Sequence, residues 1–170
     1  PWECYRRLRR ASSAGYGALL NIGKQRILSS SPELLLRVDG RHACPIPIKG
    51  TRPRGPTNGT DLALMAELRD SPKEKAELSI IVDLVRNDLG RVAVPGSVRT
   101  EPRAVMTQPY VHHAHQPVYA LLRDSADAWE CLEALFPAGS VTGAPKIRAC
   151  KRIHELEPEG RGVYCGAIGY

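Results

Sequence analysis

Apolar residues along this chain keep two rhythms, and the change from one to the other marks out its elements. Alternation suited to strands runs through Ala18 to Ile22, Arg26 to Ser29 and Leu34 to Val38, whereas spacings of three and four from Leu62 onward suit helices. Asp39-Gly40 closes the third run with a hairpin signal, so Arg41 to Ile48 is predicted to return as a strand that delivers Lys49 at its exit. Ahead of these, Tyr5 to Arg10 reads as the end of a helix, with Gly15 and Gly17 turning the chain out of it.

Beyond Lys49 the prolines and glycines between Arg52 and Gly59 predict a loop, and a helix with Thr60 as its cap gathers Leu62, Met65 and Leu68 on one face. Ser71-Pro72-Lys73-Glu74 starts another helix, with serine at the cap, proline first and glutamate third. Its apolar face is expected to hold Ile80, Ile81, Leu84 and Val85, and Gly90, Pro95 and Gly96 end it. Val111 to Leu122 reads as one strand carrying His112, His113 and His115, with His113 expected to face opposite the other two, and a single inward imidazole is either a hydrogen-bonding partner in a site or a satisfied core histidine. Ser125 is the expected cap of a helix through Trp129, Leu132 and Leu135. Pro137 to Gly143 reads as a loop of small residues, and the helix from about Pro145 is expected to bury Ile147, Cys150 and Ile153. Strands and helices in separate runs, without strict alternation, predict an α+β fold. The start at Pro1 and the apolar run Gly162 to Tyr170, which resembles an unfinished strand, suggest a piece of a larger domain, incomplete at both ends.

Composition narrows the class. At 170 residues with 42% apolar and 25% charged positions, the chain has the size and balance of one globular domain. The net charge of +6 is dispersed, with Arg6, Arg7, Arg9 and Arg10 as the one local excess, and aromatics make up 5% without interleaving among basic residues. Nucleic-acid binding is therefore the weaker reading, and small anionic substrates fit at least as well. Five cysteines, odd in number and without CxxC spacing, argue for reduced thiols. No apolar stretch approaches the roughly 20 residues of a membrane span, so no membrane partner is expected and the cytoplasm is the expected compartment.

Lys49 is an amine nucleophile or a surface charge, placed between a proline-stiffened strand end and a Gly-Thr turn. Glu33, in Ser31-Pro32-Glu33 between two apolar strands, is either a partly buried acid with a raised pKa or a surface carboxylate in a turn. Glu74 and Glu77 project from one helix face, as a hard divalent ion such as Mg²⁺ prefers, but a capping box with Ser71 and an ion pair with Lys73 explain them far more simply as solvated helix surface. Gly139 to Lys146 places small residues and two hydroxyls at a helix start, an anion site by dipole or plain capping by Thr142; its spacing is not that of a Walker A loop. Arg86-Asn87-Asp88 reads first as a helix C-terminus with its polar contacts.

Taken together these runs resemble the chorismate-binding family of enzymes, which includes the anthranilate, aminodeoxychorismate, isochorismate and salicylate synthases. The resemblance lies in Ser31-Pro32-Glu33, the run from Pro47 through Lys49-Gly50-Thr51 to Gly55, Ala76-Glu77, Val82 to Val92, Pro95 to Val98, Gly139 to Lys146 and Arg161 to Tyr170, in collinear order over almost the whole chain. It implies an α+β fold in which two antiparallel sheets pack face to face with flanking helices, residues 1–170 forming part of the chorismate-binding catalytic domain. In this family lysine before the Gly-Thr marks the aminodeoxychorismate synthases, where related enzymes carry a small residue. The chemistry so implied is attack of Lys49 on C2 of chorismate, Glu33 acting as general acid or base at the departing 4-hydroxyl, and Mg²⁺ held by Glu74 and Glu77. Gly50, Thr51, His113, Ser140 and Tyr164 match positions lining the chorismate pocket. Ammonia would come from a glutamine amidotransferase, as a separate subunit or a fused domain, for 4-aminobenzoate and folate synthesis. Two features depart from the pattern: Ala114-His115-Gln116 replaces the usual Leu-Val-Ser after His113, and the family's later strand and glutamate-bearing helix, which complete the metal site, do not occur within these residues.

Overall fold

The computed structural model describes residues 1–12 and 14–170. Helix α1 (Trp2–Ala11) precedes a two-stranded ribbon, β1 (Tyr16–Ile22) and β2 (Gln25–Ser31), paired in unbroken register from Tyr16 with Ser31 to Ile22 with Gln25. Next come β3 (Leu34–Asp39), β4 (His42–Ile46) and β5 (Ile48–Pro53), then α2 (Asn58–Asp70) and α3 (Pro72–Gly90). Four short strands follow, β6 (Arg99–Thr100), β7 (Ala104–Thr107), β8 (Val111–His115) and β9 (Val118–Leu121), before α4 (Ala128–Leu135), α5 (Gly139–Thr142) and α6 (Lys146–Leu156). Every strand pair is antiparallel, and the α+β class predicted from the sequence holds.

Apart from the ribbon, the strands divide between the sheets β3-β4-β9-β6 and β5-β8-β7. Two expected strands are cut to produce this division. Arg41 to Ile48 breaks at Pro47 into β4 and β5, and Val111 to Leu122 breaks at Gln116-Pro117 into β8 and β9. Proline has no N–H for the ladder, so each break falls where a strand can most cheaply leave its sheet. The two crossings meet, since the Gln116 N–H donates to the Pro47 carbonyl at 3.3 Å. Lys49 therefore stands two residues past a change of sheet.

α3 contacts β5 and β8 of one sheet, β9 of the other, and α2, α4 and α5. Its buried stripe, Leu78, Ile81, Val82, Val85 and Leu89, joins Leu68, Ala114, Val118, Leu122, Cys131 and Leu135 in one core. Ile81 and Val85 were expected there, but Ile80 is 56% exposed. Apolarity alone could not orient the consecutive run Ile80-Ile81-Val82, and packing against the sheets chose one edge of it.

Local chemistry corrects several caps. Thr57, not Thr60, caps α2: its hydroxyl accepts the Thr60 N–H at 3.3 Å while Thr60 Oγ1 accepts the Thr57 N–H at 3.1 Å. Asp127, not Ser125, caps α4 through the N–H groups of Trp129 and Glu130 at 2.8 and 2.9 Å. Ser71 caps α3 as expected, with Pro72 first. The Pro137 to Gly143 loop contains the short α5, and the Thr142 hydroxyl donates to the Ala138 carbonyl and caps nothing downstream. α6 has no buried residue: Ile147 is exposed and Cys150 and Ile153 only half-buried, contrary to expectation. Gly162 to Tyr170 forms a turn followed by residues without regular secondary structure, not a strand. On β8 the pleat puts His113 and His115 together and His112 with Ala114 on the deeply buried side, so His113 is not alone on its face. Among the described residues no helix is long and apolar enough to cross a membrane.

Candidate active site

Three of the predicted residues meet across long stretches of sequence. Glu33, between β2 and β3, accepts the Ile48 N–H on Oε1 at 3.2 Å and the Ser140 hydroxyl on Oε2 at 3.2 Å. Lys49 Nζ donates to the backbone carbonyl of the same Ser140 at 2.8 Å. Ser140, on α5, thus holds the acid with its side chain and the amine with its main chain. Burial raises the Glu33 pKa against the opposing pull of the Ile48 N–H, the Ser140 hydroxyl and the nearby Lys49 ammonium. Such a carboxyl is closer to the protonated state near neutrality than a solvated one, the property a general acid requires.

β5 places Lys49 by an irregularity in its ladder with β8. Ile48 pairs with His115 and Thr51 with His113, so Lys49 and Gly50 together stand opposite the single Ala114. This is a β-bulge, and Gly50 supplies the positive φ of +87° that it needs. A Cβ at Gly50 would stand 2.7 Å from Glu74 Oε2, so the glycine also lets helix α3 approach the strand. Past the bulge, Thr51 Oγ1 lies 3.0 Å from His113 Nδ1, and burial lowers the pKa of both His113 and His115. His113 therefore presents a largely neutral imidazole beside Thr51 and Gly50.

The carboxylates read as metal ligands have different surroundings. Glu74 is buried, its N–H donates to Ser71 Oγ at 3.3 Å, and its Oε1 receives Arg52 Nη1 at 3.1 Å in place of completing a capping box. Glu77 is half exposed, 3.8 Å from Lys73 Nζ. No group of three or more potential ligands comes together among the described residues. Two carboxylates one turn apart, with Glu74 Oε2 outside the Arg52 pair, fit a Mg²⁺ that keeps waters and shares oxygens with a substrate. Tyr164 is exposed, with the Arg161 guanidinium 5.9 Å from its ring centre, and that guanidinium reaches the Val141 carbonyl beside Ser140 at 3.3 Å.

Some contributors escaped the sequence. The Ser140 carbonyl and the Ile48 N–H act through the main chain and carry no residue-type signal. Buried His112 bonds Thr107 Oγ1 at 3.0 Å and Asp61 at 2.9 Å, and Asp61 in turn grips Arg54 through two bonds of 2.8 Å and the Gly55 N–H at 2.8 Å. The Arg54 guanidinium holds the Asp61 carboxyl well below the usual carboxylate range. That network pins the loop after β5, and so the strand end that carries Thr51. A cavity of ≈20 Å³ lined by Glu33, Ser140, Leu35, Ile81 and Val85 admits at most one water and is too small for a ring-sized ligand. The larger groove, ≈490 Å³ between Phe136, Ile147, Cys150 and His154, lies away from Lys49 and Glu33.

Residues 1–170 match the family model described as chorismate binding enzyme. The aminodeoxychorismate synthase component 1 of Salmonella typhimurium is 46% identical over 171 residues, 99% of this chain and 37% of that protein. The anthranilate synthase component 1 of Streptomyces coelicolor is also 46% identical, over 100% of this chain and 34% of its own length. The crystal structure of anthranilate synthase component I from Streptococcus pneumoniae superposes with a TM-score of 0.89 at 40% identity, covering 100% of this chain and 37% of that one. The chain thus spans little more than a third of these relatives. With the collinear match and the shared fold, it belongs to the chorismate-binding enzyme family.

Proposed function

We propose that these residues form the central part of the catalytic domain of an aminodeoxychorismate synthase component I, which aminates chorismate at C4. The observation that carries this is Lys49 beside Glu33, both held by Ser140. The amine of Lys49 attacks C2 of chorismate, both ring double bonds shift along the ring, and the C4–O bond breaks as Glu33 delivers its proton to the leaving hydroxyl. Ammonia then adds at C4 and returns a proton to Glu33, both double bonds shift back, and the C2–N bond to Lys49 breaks, giving 4-amino-4-deoxychorismate and the free lysine. Thr51 and the neutral His113 offer hydrogen bonds to the substrate's polar groups. Mg²⁺, held by Glu74 and Glu77, would neutralise a substrate carboxylate. The ammonia comes from a glutamine amidotransferase, as a subunit or fused domain, in a cytoplasmic route to 4-aminobenzoate and folate. Gly50, Ser140 and Tyr164 complete the proposed substrate-binding set.

Lys49→Ala in the full-length protein is the test. Wild-type protein given chorismate without ammonia should accumulate a chorismate-derived adduct on the Lys49 peptide, readable by mass spectrometry, and the variant should lose both adduct and C4 amination. Unchanged amination in Lys49→Ala would sink the covalent role. The equal identity to an anthranilate synthase supports a second reading, amination at C2; anthranilate as the wild-type product would establish it.

A further inference from the structure

The segment 136–145 leaves α4, carries Ser140 at its tip, and returns to α6. Its base is closed by one side chain. Lys146 Nζ donates to the Leu135 carbonyl at 2.6 Å and the Ala134 carbonyl at 3.5 Å, the last two residues of α4, and pairs with Asp88 Oδ2 of α3 at 2.6 Å. Its three donors thus have three acceptors on two other helices. Lys146 is the first residue of α6, where the helix dipole disfavours a cation, yet its ammonium sits at the C-terminal carbonyls of α4, where the dipole favours one. Both partners are withdrawn from water, with side chains 13% and 7% exposed. A pair with that desolvation cost and that reach is poorly explained as helix capping of α6.

α3 serves as floor to both ends of the segment. One turn before Asp88, Leu84 lies against Gly139, where a Cβ would come within 2.4 Å of Leu84 Cδ2. The tip is thereby pressed on Leu84 and the base tied to Asp88, and Ser140 has little freedom relative to α3. From that position it meets Glu33 and Lys49, which arrive from the other side of the sequence.

We propose that Asp88 and Lys146 are positioning residues for the Lys49–Glu33 pair, fixing Ser140 by closing the base of the segment that carries it. Neither touches the reacting groups. Their effect passes through the Ser140 carbonyl to the amine and through the Ser140 hydroxyl to the acid. The geometry stands whatever Lys49 does; only its catalytic meaning rests on the proposed function.

The test reads Lys49 directly and needs no substrate. The rate of reductive methylation at Lys49, followed by peptide mapping across pH, should rise about tenfold in Lys146→Met, as expected for loss of one charge-assisted hydrogen bond. Asp88→Asn should act in the same direction, and Lys146→Arg, which keeps the charge and the donors, should restore most of the wild-type rate. In the variants the inflection due to Glu33 should move to higher pH, because the Ser140 hydroxyl no longer favours its ionised form. Val118→Ala, a core truncation in β9, serves as the control: it should lower Tm without moving the Lys49 rate. Should Lys146→Met fail to fold, Asp88→Asn/Lys146→Met leaves no buried charge and carries the same expectation. A Lys49 rate within twofold of wild type in the folded variants, an equal rise in Val118→Ala, or failure of the double variant to fold would each overturn the proposal. If instead the labelling changes as expected while Lys49→Ala still aminates chorismate, the positioning stands and the covalent role of Lys49 falls.

Discussion

Glu33 and two of the three histidines of β8, His113 and His115, pull stability in opposite directions with pH. Burial raises the folded-state pKa of Glu33, so the folded chain keeps that proton longer than the unfolded one. Its contribution is full below the unfolded value and is lost as pH rises through the raised one. Glu33→Gln should flatten this loss and raise Tm at neutral pH by roughly 2–4 °C, while abolishing acid catalysis; calorimetry between pH 4 and 8 checks the slope. His113 and His115 have folded pKa values lowered by burial, so protons bind the unfolded chain first. Stability should therefore fall as pH drops below about 6.5, and His115→Asn should remove part of that fall in the same scans. A Tm that climbs on acidification from pH 7 to pH 6 in Glu33→Gln, where the opposing slope of the carboxyl is gone, would contradict the burial of these rings.

At the scale of elements, the bulge in β5 and the cap of α2 give the sharpest outcomes. Gly50→Ala puts a side chain at φ +87° and 2.7 Å from Glu74 Oε2, and should cost about 2–4 kcal/mol in urea unfolding. Thr57→Ala removes the reciprocal pair with Thr60 and should cost about 1 kcal/mol. The elements legible in the sequence are those decided by chemistry within a few residues: Asp39-Gly40 turns β3 into β4, and Ser71-Pro72 starts α3. What stayed hidden was decided at a distance. Nothing near Pro47 says that β4 will pair with β9 and β5 with β8, and nothing in Ile80-Ile81-Val82 says which of them faces the sheets. The same divide runs through the site. Lys49, Glu33, Ser140 and His113 stand out as candidates from motif runs, whereas the diversion of Glu74 to Arg52, the exposure of Tyr164, and the closure of 136–145 by Lys146 depend on which helices become neighbours.

For the molecule as a whole, the groups that meet at Ser140 come from the first third, Glu33 and Lys49, and from the last, Ser140 itself, with α3 between them as common support. Ligand binding should accordingly couple distant parts of the chain. Chorismate with Mg²⁺ should raise the Tm of the full-length protein in a concentration-dependent way, by the equivalent of about 2.7 kcal/mol at 100 times Kd, and Ser140→Ala should weaken the effect. Lys49 itself should matter little to folding: Lys49→Ala is expected to leave stability within ~0.5 kcal/mol while removing the adduct. The bulge explains why. Because Lys49 and Gly50 share one place opposite Ala114, residue 49 is released from the obligations of cross-strand partnership, and its identity can change without resetting the register of β5 on β8. Under the proposed function, the irregular step in β5 is thus a place where one codon change would alter the reacting group while the ladder that carries it keeps its register.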